Sequence, residues 1–108
     1  PQPSFLPANH NKRKMTVKKS LHIQIWGRVQ NVGFRAFVGQ QAGLLSVNGW
    51  VRNFGRNQVE VRAEGHEASL QAFLDIVKEG PSVARVDRYE FEWGEFRDAF
   101  KSFHVRWL

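Results

Sequence analysis

The stretch RVQNVGFR, residues 28–35, sets two side-chain amides, Gln30 and Asn31, ahead of a glycine at 33 and an arginine at 35. Just before it, LHIQI alternates as a half-buried strand does. Just after it, Phe34, Val38, Ala42 and Leu45 recur at helical spacing, with Phe37 and Gln41 on the flank. A loop that leaves a strand and feeds a helix aims unpaired backbone N–H groups at one point, and the positive end of the helix dipole reinforces them. Such a loop can hold an anion. Arg35, in the first turn, adds a planar fork of donors suited to phosphate. On spacing alone the same arginine reads more readily as an ordinary solvated helix residue, because one glycine ahead of an arginine is a weak signal.

The elements that must position this loop follow from the periodicities. Leu21, Ile23 and Ile25 face one way in a first strand that ends near Trp26. VNGWVRN (47–53) and QVEVRAE (58–64) flank Phe54-Gly55-Arg56-Asn57 and read as a hairpin. In its second arm Val59, Val61 and Ala63 face a core, while Glu60, Arg62 and Glu64 face water. Residues 66–79 carry Leu70, Phe73, Leu74 and Val77 on one helical stripe, stopped by Gly80-Pro81. Tyr89, Phe91 and Trp93 alternate in a further strand, and Phe103, Val105 and Trp107 in a last one. The slip between Val86 and Tyr89 signals a late strand start or a bulge. The order predicts an α+β sandwich of βαββαβ type, an antiparallel sheet with two helices on one face, plus a closing C-terminal strand.

The chain has 108 residues, one domain's worth, and a net charge of +6. Most of that charge lies at the start. Residues 1–19 hold Lys12, Arg13, Lys14, Lys18 and Lys19 and no acid, whereas the remainder is nearly neutral. With three of the four prolines, residues 1–19 read as a basic disordered tail and 20–108 as the domain; Met15 offers an alternative start. Absence of cysteine excludes disulfides, thiolate nucleophiles and sulfur-ligated metals, which suits a cytoplasmic protein. No apolar run reaches the roughly 18 residues of a membrane span. His10, His22, His66 and His104 lack ligand spacing and read as surface residues, so no metal is expected. The carboxylates alternate with basic residues and read as solubilising, and Trp50 reads as packing.

Two segments together carry more than either alone. IWGRVQNVGFR (25–35) with NGWVRN (48–53) resembles the paired signature motifs of the acylphosphatases, small hydrolases of the ferredoxin-like class. The likeness spans about residues 20–108. It implies that Arg35 binds the substrate phosphate together with the loop formed by Gln30, Asn31, Val32, Gly33 and Phe34, and that Asn53 positions the attacking water. One departure stands inside the loop: Asn31 occupies a place where the family usually has glycine. If that place needs φ above zero, asparagine is among the few other residues that tolerate it.

The implied reaction is hydrolysis of a carboxyl–phosphate anhydride to carboxylate and inorganic phosphate, with no cofactor. The leaving carboxylate has a conjugate-acid pKa of roughly 4 to 5, so no enzymic acid is needed. The expected partner is a small acyl phosphate, with inorganic phosphate as product inhibitor, no membrane, and a monomeric chain. The rival for this architecture is an RNA-binding domain, where sheet aromatics stack on bases. GFRAFV (33–38) echoes the aromatic-basic consensus of such domains but runs into a helix, and QVEVRAE has no ring to offer, which makes nucleic acid an unfavoured partner. A non-catalytic interaction domain is the third reading, because fold alone does not fix function.

Overall fold

The computed structural model describes residues 17–107. Its elements are β1 (Lys18–Arg28), α1 (Phe34–Leu45), β2 (Asn48–Phe54), β3 (Gln58–His66), α2 (Glu67–Val77), β4 (Arg85–Glu95) and β5 (Phe103–Arg106). The sheet order is β4-β1-β3-β2-β5. Both crossovers carry a helix, and α1 and α2 bury their apolar stripes on the same face of the sheet. Leu21, Ile23 and Ile25 of β1, Val51 of β2 and Val59, Val61 and Ala63 of β3 meet Phe34, Val38 and Ala42 of α1 and Leu70, Phe73, Leu74 and Val77 of α2 in one core. The other face of the sheet is open to solvent.

Strand β1 is longer than its alternation indicates, because it pairs with β3 from Lys18 onward and with β4 as far as Arg28. Lys18 and Lys19 therefore belong to the sheet rather than to the expected tail; residues 1–16 of that tail lie outside the described residues. The slip in β4 is a bulge. Trp26 faces Arg88 and Gly27 faces Val86, so Asp87 is the extra residue, and Val86 and Tyr89 end up on one face. Gly27 is required at the bulge, since a Cβ there would lie 2.2 Å from the Arg85 carbonyl oxygen. Tyr89 and Phe91 occupy the helix side of β4 as their phase requires, yet remain 41% and 47% exposed because β4 is the sheet edge. They stack on each other instead, centroids 6.4 Å apart.

Four strands form the expected antiparallel sheet, and the closing strand makes the whole mixed. The four strands β4, β1, β3 and β2 pair antiparallel, but β5 joins β2 in parallel. After β4 the chain reverses and crosses the end of the open face to the far side of β2. Glu64 receives that crossing: its Oε2 accepts from Arg97 N (2.7 Å) and its Oε1 from Ala99 N (2.8 Å). Gly49 N then donates to the Ser102 carbonyl, and β5 begins. Phe103 packs edge-on against Phe73, with centroids 6.1 Å apart, and Val105 lies against Gly39 of α1.

Candidate active site

Val29, fully buried, anchors the chain as it leaves β1, and residues 30–33 bend into α1. Asn31 (φ 62) and Gly33 (φ 77) both take the left-handed conformation, which turns successive N–H groups toward one side. The condition that the sequence set for Asn31 is thus met. Gly33 caps α1 without a side chain, no acid stands in the first turn, and the first helical bond is Phe37 N to the Gly33 carbonyl (3.0 Å). The N–H groups of Phe34, Arg35 and Ala36 consequently have no acceptor among the described residues. Val32 packs on the core edge and Phe34 is buried within it, so these two hold the loop through their side chains and offer only backbone to a ligand.

Arg35 crosses from α1 to the C-terminal strand. Its Nη1 donates to the Arg106 carbonyl (2.9 Å), and the guanidinium carbon lies 4.7 Å from the centroid of the Trp107 ring. Nε and Nη2 have no partner among the described residues, which leaves donors of the fork for an anion. In the β2–β5 ladder Arg106 faces Arg52, the residue before Asn53. The register therefore brings the Arg35 fork to the strand end that carries Asn53.

Asn53 has the helix-facing phase of β2, opposite the buried Val59. Its Oδ1 is buried and has no hydrogen-bond partner among the described residues. A buried carbonyl oxygen left unpaired costs about 1–3 kcal/mol, so its orientation needs a reason. The hairpin that follows Asn53 is tied to the end of β1 and to the loop after it: Gly27 N donates to the Asn57 carbonyl (3.0 Å), and Gln30 Nε2 donates to the carbonyls of Gly55 (3.1 Å) and Gln58 (3.0 Å). Loop, arginine and asparagine thus meet at one end of the sheet. Among the described residues no group of three His, Asp or Glu side chains stands in metal-binding reach, and no helix is long and apolar enough to cross a membrane.

On the open face behind Asn53, Glu60 Oε1 accepts from Arg52 Nε (2.8 Å) and its Oε2 from His22 Nε2 (2.7 Å). Burial alone would raise the Glu60 carboxyl, but the hydrogen bonds from Arg52 and then His22 outweigh it and hold the group below its ordinary value. His22 is accordingly half-buried and paired, not the free surface residue its polar phase suggests. His66 also departs from that reading, with its Nδ1 buried and without a partner, while His104 is exposed as expected and His10 lies outside the described residues. Trp50 does pack, between the guanidinium groups of Arg106 (4.3 Å) and Arg52 (5.4 Å). Three features escaped the sequence reading. Glu64 is buried, 4% exposed, although its phase is that of a solubilising carboxylate. The Gln30 side chain turns to the hairpin and not to the loop's concavity. The Arg106 carbonyl and Trp107 ring hold Arg35, a contact 71 residues apart that no local pattern announces.

The open face carries the rings of Trp26, Trp50 and Phe54, each with an arginine guanidinium 3.9–5.0 Å from its centroid, and Phe54 remains 50% exposed. β3 adds Glu60 and Glu64 to that face but no ring.

Known proteins match this chain in sequence and in architecture. The sequence model of a family described as Acylphosphatase matches residues 21–105. The chain is 43% identical over 89 residues to an acylphosphatase of Salinibacter ruber, an alignment covering 82% of this chain and 94% of that one. It is 46% identical over 79 residues to an acylphosphatase of Thermus thermophilus, covering 73% and 89% respectively. Its structure superposes on the crystal structure of acylphosphatase from Bacillus subtilis with a TM-score of 0.78 and 34% identity, covering 82% of this chain and 99% of that one.

Proposed function

Because this chain belongs to the acylphosphatase family, whose members hydrolyse acyl phosphates to carboxylate and inorganic phosphate, we propose that the loop of residues 30–34 and Arg35 grip the phosphoryl group while Asn53 holds the attacking water. The single observation that carries this assignment is the Asn53 Oδ1: buried, unpaired, and at the sheet end where the N-terminus of α1 leaves its N–H groups open. An acceptor there takes a hydrogen bond from water, whose oxygen lone pair then faces phosphorus.

The chemistry asks little more of the protein. As the P–O bond to the acyl group breaks, charge builds on the phosphoryl oxygens, and the helix N–H groups and the free donors of Arg35 offset it in place. The acyl oxygen leaves as a carboxylate, a weak base that needs no proton. Water oxygen bonds to phosphorus, and the phosphoryl oxygens take up its proton. Positioning and charge stabilisation account for the rate. Since the product phosphate presents the same oxygens as the substrate, it inhibits competitively. The lack of cysteine is consistent with a cytoplasmic location.

The assay is hydrolysis of benzoyl phosphate, followed in the ultraviolet, by wild type, Arg35→Ala and Asn53→Ala. Each folded variant is expected to lose on the order of 10²-fold or more in kcat, the loss typical when one transition-state donor or aligning group is removed. Wild-type turnover in either would refute that residue's role.

A further inference from the structure

The grip on phosphate and the hold on water reside in different parts of the chain, the loop entering α1 and the β2–β3 hairpin. One side chain spans the two. We propose that Gln30 is a positioning residue, its carboxamide fixing the hairpin, and with it Asn53, at the working distance from the phosphate cradle.

Gln30 Nε2 has two hydrogens, and both are spent on the hairpin, one on the Gly55 carbonyl at 3.1 Å and one on the Gln58 carbonyl at 3.0 Å. The side chain therefore has no N–H left for phosphate; only its backbone belongs to the cradle. One carbonyl belongs to the first residue of the turn at 55–57 and the other to the residue just after it, so the same group closes the turn and ties it to the loop. Asn53 pairs with Val59, next to Gln58, and hence moves with that tip. Gly27 N, bonded to Asn57, tethers the other end of the loop but contributes no contact at the cradle itself. Without Gln30 the cradle keeps its amides and Arg35 keeps the Arg106 carbonyl, but the distance between phosphate and water is no longer fixed. The inference rests on the reading of Asn53 given above.

The test compares Gln30→Met, close in shape and unable to donate, with Gln30→Glu and Asn53→Ala, reading kcat on benzoyl phosphate and the competitive Ki of inorganic phosphate. For Gln30→Met kcat is expected to fall ~10- to 100-fold, the scale of a misplacement of about 1 Å, while Ki stays within about 3-fold. A residue that touched phosphate would raise Ki in step with the loss in kcat, and a merely structural one would lower the melting temperature and leave the kcat of folded enzyme alone. Either result overturns the proposal. Gln30→Glu is the check on one and the same protein. As a carboxylate it faces two carbonyls without a proton to give, whereas protonated it donates one. Its kcat relative to wild type should therefore rise as pH falls from about 7 to about 5, toward the ordinary carboxyl range; a flat ratio counts against the strap. Wild-type turnover in Asn53→Ala would overturn the Asn53 reading and the strap's purpose with it, whereas a dead Asn53→Ala beside a fully active Gln30→Met overturns the strap alone.

Discussion

Asn31 shows what one backbone angle contributes. At φ 62 it holds the left-handed conformation, as Gly33 does, a geometry that costs most side chains about 1 kcal/mol and asparagine less. Asn31→Gly should thus keep or raise benzoyl phosphate turnover, and Asn31→Ala should lose about 1 kcal/mol of stability by denaturant unfolding along with part of its activity. A large loss of turnover in Asn31→Gly would show that the asparagine side chain has work of its own. At this scale residue types were informative where the constraint is local: glycine and asparagine at the left-handed positions, arginine in the first turn. They were silent where it is distant. Nothing in the identity of Gln30 says that its amide is spent on carbonyls 25 and 28 residues away.

Among the elements, Glu60 joins three strands, accepting from His22 on β1 and Arg52 on β2 while standing on β3. Its side chain is 12% exposed, and its partners hold the folded pKa below the ordinary 4.5. A depressed carboxyl contributes stability that is fully present above the unfolded value and is lost as pH falls through the folded one. Glu60→Gln should therefore be less stable than wild type by about 1–2 kcal/mol near neutral pH, with the gap closing as the solution is acidified below the ordinary carboxylate value. A gap independent of pH would mean that packing, and not the charge on Glu60, is what the substitution removes. The strands and helices themselves were largely legible from period, and the mismatched phase of Val86 and Tyr89 left a late strand start or a bulge open, of which the structure shows the bulge at Asp87. The direction of β5 was not, because it depends on how residues 96–102 cross the open face. Glu64, which holds that crossing, sits in the polar phase of β3 like any solvated carboxylate.

Across the whole molecule, the fold brings three separated segments to one end of the sheet. The β1–α1 loop carries open amides, the end of β2 carries Asn53, and the end of β5 with the residue after it carries the carbonyl and ring that hold Arg35. The paired motifs contain the first two segments, each within one short run. The third is a product of topology. The most direct test of the central claim, an anion gripped by the α1 N-terminus and Arg35 beside Asn53, is a titration of isotopically labelled protein with inorganic phosphate followed by amide nitrogen–proton spectra. The account predicts saturable shifts centred on the backbone amides of residues 31–36, the Arg35 guanidinium and the Asn53 side-chain amide. Shifts confined to the open face around Trp50 and Arg52, or none at saturating phosphate, would contradict it.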